Sequence, residues 1–589
     1  MAAPHAKLGS DKERGMGEGE QPAARRLIAV RLAIGAVQGL ALYALSKAPE
    51  GGPRALLAGL NLAALFTPVV LLGGYGVLRA RVLMIWSLAA AALCGALAAY
   101  DVAFGQGPEQ GAHWPSAPLI LFLGAALFIV HHLIGPADGE GRWRASYGRY
   151  FDDGWRDGVR LVLAAAFVGA LWLLLALAAA LFGLIGLEIV GQLIQRGWFA
   201  IPVTTLFFAM AIHLTDVRAA LVRGARTLGL TLLAWLAPVM TLIAAGFLLS
   251  LPFTGLAPLW ETGKASPILL GAAAALIILI NAAYQDGERP DFPPAVLRWT
   301  VRAASLVLVP LALIALYGVG LRVAQRGLTP DRIYALVCLV PAAVYGFGYA
   351  WAAVTRGPWM RRLEPTNIVA AHLVVALIVL VFSPVIDPVR LSVNDQVDRL
   401  RSGKVSAELF DYSFLRWDAG DRGKRALQTL ARDGAGADPA AVRARAAAAL
   451  ARQTRSTQEV VATAVTPAKL QVVGAALPAD FLSQTAWPQF EEPTRSCGHG
   501  ENRCLAFVID LAPNPGAEVA ILGAMQQGVY GRTPEGWRQV GSMRLCAGEL
   551  QALKAGRFRW AQQTRPVLEI AGRARAFEPL LDCDRAAAP

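Results

Sequence analysis

Residues 161–185 read LVLAAAFVGALWLLLALAAALFGLI, twenty-five positions without a charge. About 30 Å of hydrocarbon at 1.5 Å of rise per residue needs about 20 apolar residues, so this stretch is a membrane-spanning helix. Working outward in both directions, runs of similar character recur at 27–45, 56–75, 82–100, 118–134, 201–214, 227–249, 267–283, 301–319, 333–354 and 368–386. Hydrophobic residues make up 55% and charged residues 16% of the 589 positions, with a mean hydropathy of +0.46. A soluble globule of this length is excluded. Pro68, Pro238, Pro310 and Pro341 interrupt the runs; neighbouring helices in a bundle satisfy the carbonyls that proline frees. The shortest run, 201–214, is expected to pair with 188–198 as an interfacial or re-entrant hairpin. The fold class expected is mainly α: a polytopic transmembrane helix bundle of about eleven spans, then a helical neck and a small α+β extracytoplasmic domain.

The stretch just before 161, WRASYGRYFDDGWRDGVRL from Trp143, is aromatic and basic. Trp143, Tyr147, Tyr150, Phe151 and Trp155 interleave with Arg144, Arg149 and Arg156, a composition that suits a membrane interface or, on a sharper reading, a partner-binding loop. Such basic segments alternate along the chain. One side collects about 19 Lys and Arg, among them Arg25, Arg26, Arg79, Arg81, Arg142, Arg218, Arg289 and Arg361; the other collects about 7, among them Lys47, Arg54, Arg196, Lys264 and Arg332. The richer side is expected to be cytoplasmic. The N-terminus is then inside, and an odd number of spans puts everything after Asp387 outside, in the periplasm of a bacterium if the Ala-, Arg- and Leu-rich composition is bacterial. The formal charge of +13 and pI near 9.7 reflect these helix-end anchors, which argues against nucleic acid as a partner. Residues 1–26 are expected to be a disordered cytoplasmic tail without a removable leader.

Cysteine usage bears on the same question. Cys94 and Cys338 lie in apolar runs and read as small buried hydrophobes. Cys497, Cys504, Cys546 and Cys583 all lie in the tail, as two disulfides in an oxidising compartment would require. Four cysteines allow three connectivities; Cys497 with Cys504 and Cys546 with Cys583 is preferred, because the first pair brackets the turn CGHGENRC. A zinc site on Cys497, His499 and Cys504 is the rival, but paired CxxC spacing is missing.

After the bundle at 27–387, a neck at 388–455 is expected to begin with a helix at 393–400, opened by Ser392 with Asp395 in a capping-box arrangement. Ser406 is expected to cap a second short helix, and Asp438-Pro439 a third over 440–452. From 465 to 589 the period changes to strands at 470–473, 505–511, 518–522, 528–531, 538–544 and 567–571, with a hairpin turn at 533–536.

The strings SVNDQVDRLRSGKVS (392–406) and FDYSFLRWDAGDRGKRAL (410–427), directly after a last span ending in Asp387-Pro388, resemble the bacterial membrane family catalogued as domain of unknown function 4153. RLAIGAVQGLALYAL (31–45) and the aromatic stretch at 143–161 are similar to that family as well. The resemblance implies a polytopic inner-membrane protein and carries no activity with it.

Ionisable residues inside spans are suspects for function because hydrocarbon makes them costly. Arg31 is expected to snorkel to the interface and Asp101 to be interfacial. His131, His132, His213, Asp216, Asn281 and His372 fall in one third of their spans and would converge on one polar pocket if their helices are neighbours; the bland reading leaves each histidine on headgroups or a carbonyl. His131 and His132 point to different faces, so at most one is expected in a common pocket. Asp152-Asp153 reads as a helix cap or, less simply, a divalent-ion site. Asp510, Asn514 and Glu518 resemble a calcium loop that has kept its turn and lost the ion. No phosphate-binding loop, nucleophile elbow or HExxH string occurs, so no cofactor, catalytic residue or metal ligand is assigned. The leading expectation is a non-enzymatic envelope protein whose bundle anchors a periplasmic binding or sensing domain, with membrane lipids and an envelope protein as partners. The alternatives are a permease using the polar residues, and a membrane-embedded enzyme acting on lipid-linked substrates.

Overall fold

The computed structural model describes residues 20–49, 51–104, 114–256, 259, 265–287, 293–452, 460–462, 465–484, 486–488, 493–494, 497, 503–509, 517–523, 527–533, 536–542, 549, 552, 567–570 and 573–576. The chain divides into two compact units, Met1–Ala451 and Arg452–Pro589.

In the first unit, eleven helices among the described residues are long and apolar enough to cross a membrane. They are α1 (Glu20–Ser46), α2 (Arg54–Gly74), α3 (Ala80–Phe104), α4 (Ala117–Glu140), α5 (Tyr147–Leu184), α7 (Gly197–Val217), α8 (Ala219–Thr254), α9 (Ala265–Tyr284), α10 (Ala295–Arg326), α11 (Pro330–Val354) and α12 (Leu363–Val381), with a short α6 (Ile189–Ile194) between α5 and α7. The expected polytopic bundle is therefore present. The hairpin expected at 188–214 is not: Trp198 and Phe199 before the apolar run, and Thr215 to Val217 after it, are also helical, which gives α7 21 residues. Helix α5 has 38 residues, about 57 Å, far more than the hydrocarbon needs. Its first three turns therefore extend beyond the apolar zone.

Two large apolar cores lie in the bundle among the described residues, with a small one of Ala164, Ala211 and Ile212 between α5 and α7. Leu276, Ile280, Leu297, Val301 and Leu308 centre one among α8–α12, and the start of α5 contributes Tyr147 and Phe151 to it. The aromatic stretch at 143–156 thus departs from its expectation. From Tyr147 onward it is helix, and its aromatics turn into the bundle, while Trp143, upstream of the helix, is fully exposed. Leu62, Ala90, Cys94, Leu119 and Leu123 centre the second core, among α2, α3 and α4. Cys338, expected to be buried, is exposed on the flank of α11, where helical phase and not hydropathy sets direction.

The segment after α12 packs on one end of the bundle. Helix α13 (Pro388–Arg401) is capped by Asp387, whose Oδ1 accepts from Arg390 N at 2.9 Å. Ser392 lies inside the helix and is fully buried. The cap lies earlier than expected because Pro388 can occupy the first helical position. No helix opens at Ser406. A turn follows it, Asp411 accepts from Phe414 N at 2.8 Å, and a π-turn (Phe414–Asp418) leads into α14 (Gly420–Asp433). Asp438 does cap the third helix, α15 (Pro439–Ala451), accepting from Ala441 N at 2.9 Å. Buried Asp387 ties this segment down: it accepts from Tyr100 Oη of α3 at 2.7 Å and pairs with Arg422 of α14 at 2.7 Å. Asp395, Gln396 and Arg399 bond the backbone of residues 325–328, where α10 ends and the chain turns to α11. Gly327 there has φ +77° and lies so close to Asp395 Oδ2 that a Cβ would come within 2.5 Å of it. The string at 392–406 is thus a clamp on the α10–α11 connection.

The second unit holds a five-stranded sheet in the order β2 (Leu470–Val472), β4 (Cys504–Ile509), β5 (Glu518–Leu522), β6 (Gln527–Thr533) and β7 (Gly536–Ser542). β2 runs parallel to β4, and the other pairings are antiparallel. Two small pairs accompany it, β1 (Val460–Ala462) with β3 (Ala486–Pro488) and β8 (Val567–Ile570) with β9 (Arg573–Ala576). β5 is buried throughout: Val519 and Ile521 face an aromatic cluster of Phe481, Trp487, Tyr530 and Trp537, while Ala520 and Leu522 face the other way with Phe507, the alternation of a pleated strand. A disulfide joins Cys497 to Cys504 at the start of β4. Cys546, Cys583, His499, Asp510 and Asn514 lie outside the described residues. Glu518 is buried on β5 opposite Ile509.

Asp480, in the short α16 (Ala479–Ser483), accepts from Trp537 Nε1 at 2.9 Å and Arg532 Nη2 at 2.6 Å. The Trp537 hydrogen bond, together with the Arg532 guanidinium, holds its carboxyl below the usual carboxylate range. A depressed folded pKa contributes stability above the unfolded value near 3.9 and loses it as pH falls through the lower folded value. Hydrogen-exchange protection of β6 and β7, corrected for intrinsic rate, is accordingly expected to fall below about pH 4 in the wild type and to lose that dependence in Asp480→Asn. An identical pH response in both proteins would remove Asp480 from this role.

Candidate functional site

Helix α1 places Arg31, Gly35, Gln38 and Gly39 on one face, because i, i+4, i+7 and i+8 superpose along a helix. Helix α7 answers with Pro202, Thr205, Ala209 and Asp216. A Cβ on Gly35 would lie 2.7 Å from Ala209 Cβ, and one on Gly39 would lie 2.5 Å from Pro202 Cα. The Gly35-x-x-x-Gly39 spacing therefore brings two backbones into contact, the small-residue packing that membrane helices favour. At the end of this seam Arg31 Nη2 meets Asp216 Oδ2 at 2.5 Å. Arg31 is 2% exposed. The expected snorkelling fails because the partner lies inside the bundle, on α7.

A chain of ion pairs continues onto α5. Arg160 pairs with Asp216 and, at 2.8 Å, with Asp157. Arg156 bridges Asp157 at 3.1 Å and Asp153 at 2.8 Å. His132 of α4 completes it, with Nε2 at 3.2 Å from Asp157 Oδ2 and Nδ1 at 2.7 Å from the Phe128 carbonyl. Each ring nitrogen lies within hydrogen-bonding distance of an acceptor. His131 accepts from the Trp86 indole at 3.2 Å.

Arg31, His131, His132, Asp157, Arg160 and Asp216 line one end of a cavity of about 960 Å³ among α1, α2, α4, α5 and α7. His131 and His132 both line it, against the expectation that only one would. The cavity reaches α4 on two sides, so a 100° step between adjacent residues does not take either ring out of it. The other wall is apolar, with Leu65, Phe66, Leu121 and Phe208.

Asn281 belongs to a different place. Its Oδ1 accepts from Asn367 Nδ2 at 2.8 Å and Tyr147 Oη at 3.3 Å, and its Nδ2 donates to Tyr349 Oη at 2.7 Å, which in turn donates to Asn367 Oδ1 at 2.7 Å. This ring joins α5, α9, α11 and α12 beside a second cavity of about 790 Å³. His372 Nδ1 lies 2.8 Å from a carbonyl of its own helix, Ile368 O. His213 is buried next to the α1–α7 seam and does not line either cavity. The six intramembrane residues thus divide: His131, His132 and Asp216 line one cavity, His213 lies near Arg31 and Asp216 without lining it, and Asn281 and His372 stand elsewhere.

Asp152 and Asp153 lie within α5, not before it, and pair with Arg226 and Arg156; the helix begins at Tyr147, six residues earlier than a cap at 152 requires. Asp101 is buried and accepts from Ser116 N at 2.6 Å, joining α3 to the start of α4. No cluster of three or more metal-ligating side chains occurs among the described residues. Sequence reasoning passed over Asp157, Arg160, Asn367 and the Gly35/Gly39 pair. An available signal was the i,i+3 charge pair Asp157–Arg160 set against the first apolar residues of a span.

A family model described as domain of unknown function (DUF4153) matches residues 62–430, from the middle of α2 into α14. No curated protein matches the chain, and no solved structure does.

Proposed function

This chain belongs to the DUF4153 family, and from that premise we propose that it is a non-enzymatic protein of a bacterial inner membrane, with a cytoplasmic N-terminus and a bundle that carries a periplasmic binding or sensing domain. One observation carries the reading: the unit that follows eleven candidate spans contains the Cys497–Cys504 disulfide. An odd number of crossings takes that unit to the face opposite the N-terminus, and disulfides persist in oxidising compartments. The excess of Lys and Arg on the N-terminal side supports the same orientation. The carboxylates that a lipid-linked enzyme would use are engaged in ion pairs at Asp152, Asp153 and Asp157. The aromatic cluster around Trp487 supplies a rigid core on which the second unit can present a surface to an envelope partner.

The test is a topology reporter with a thiol assay. Alkaline phosphatase fused after Pro589 is expected to be active in intact cells, and Cys497 and Cys504 are expected to resist maleimide until reduced. A silent phosphatase with both thiols reactive before reduction would overturn the orientation and the function built on it. The disulfide is expected to contribute about 2–3 kcal/mol through its short loop. A permease is the second reading, favoured by the 960 Å³ cavity within the bundle.

A further inference from the structure

We propose that the cavity among α1, α2, α4, α5 and α7 holds one phosphate-bearing lipid, with its phosphate at Arg31 and Arg160 and its hydrocarbon along α5. At the charged end Arg31 and Arg160 stand against Asp157 and Asp216, and all four line the cavity. The two arginines still have unused donors. Arg31 Nε and Nη1 and Arg160 Nε are buried and have no hydrogen-bond partner among the described residues. A buried donor left without an acceptor is costly. A guanidinium presents its N–H groups as a fork that fits the oxygens of a phosphate.

The rest of the cavity suits hydrocarbon. One face of α5 runs from Asp157 and Arg160 through Ala165, Val168 and Gly169 to Trp172, all lining the same space. Fifteen residues separate Asp157 from Trp172, about 22 Å of rise, more than the ~15 Å of one leaflet's hydrocarbon. The groove also opens sideways. Leu121 lines it and is 70% exposed on the flank of the bundle, and Ala165 and Gly169 are exposed as well. A ligand with its polar end at Arg31 can therefore leave its tails towards the surrounding bilayer. A free anion would use only the charged end, and a neutral amphiphile only the groove; a phospholipid uses both. The proposal does not depend on which side of the membrane the second unit faces, so the reporter experiment and this one can fail separately.

The test is native mass spectrometry of the full chain released from detergent, titrated with phosphatidylglycerol, with phosphatidylethanolamine, with diacylglycerol of the same chains, and with inorganic phosphate as competitor. One phospholipid per chain is expected, of either headgroup, bound at least tenfold more tightly than diacylglycerol and not displaced by inorganic phosphate. Arg31→Lys retains the charge opposite Asp216 and removes the fork; it is expected to weaken phospholipid binding at least tenfold. Gly169→Leu is expected to do the same by filling the groove. A Cβ there meets nothing within 4 Å, so this variant keeps its fold even if Arg31→Lys does not. Equal binding of diacylglycerol, displacement by inorganic phosphate alone, or unchanged binding in Gly169→Leu would overturn the proposal.

Discussion

Replacing Asp216 by Ala is expected to cost the bundle about 3–5 kcal/mol, the loss that follows when one partner of a buried ion pair is removed and its charge is left behind. Two arginines depend on this carboxylate. Arg31 has it as its only acceptor among the described residues and is 2% exposed; Arg160 shares it with Asp157. The penalty is the uncompensated guanidinium of Arg31, not the lost attraction as such, and that distinction is testable. Arg31→Leu combined with Asp216→Leu removes both charges and is expected to recover most of the stability, because well-packed apolar residues commonly replace buried pairs at little cost. Reversible unfolding in mixed lipid–detergent micelles measures both variants. A loss under about 1 kcal/mol for Asp216→Ala would mean that the two arginines reach water and that the seam between α1 and α7 is not sealed there.

The second large effect is expected at Gly35. Gly35→Leu should destabilise the bundle by about 3 kcal/mol, at the upper end of what overpacking costs. The obstacles are mostly backbone. A Cβ at Gly35 lies 2.8 Å from Thr205 O and 3.3 Å from Leu206 Cα, besides 2.7 Å from Ala209 Cβ. Backbone atoms of a helix cannot swing aside, so α1 and α7 must separate, and the Arg31–Asp216 pair one turn away separates with them. Gly246→Leu on α8 is the control. Nothing lies within 4 Å of its Cβ position, and the better helix propensity of leucine should leave stability unchanged or raised by up to about 1 kcal/mol. Equal effects at the two glycines would show that glycine content, and not the α1–α7 contact, governs stability.

These two sites show where the sequence was readable and where it was not. Gly35-x-x-x-Gly39 lies inside the string RLAIGAVQGLALYAL, and its spacing is visible without a structure. That it faces Pro202, Thr205 and Ala209 is not visible, because nothing in a string of apolar residues says which helix comes next to which. Asp157 and Arg160 were hidden by their surroundings: they sit at the end of a basic aromatic stretch, where charge looks interfacial. The length of α5 changes that reading, since its extra turns bring the stretch into the bundle and turn Tyr147 and Phe151 inward. Arg31 illustrates the same limit. Its cost in hydrocarbon is legible; whether it is met by the interface or by a partner depends on a residue 185 positions later. Local signals fared better. Asp438 caps α15, and β5 at Glu518–Leu522 begins and ends where its pattern says it should.

Hydropathy by itself determined that this chain crosses a membrane about eleven times and ends in a small α+β unit, because the bilayer imposes one length and one polarity on every span and strand alternation is a local property. The pairing of α1 with α7 and the threading of Arg31, Asp216, Arg160, Asp157 and His132 into one network beside a cavity of about 960 Å³ were decided only in three dimensions. In an apolar solvent the hydrophobic effect cannot choose among helix neighbours. That choice falls to close backbone contact and to a few buried charges, and both depend on which distant segments meet.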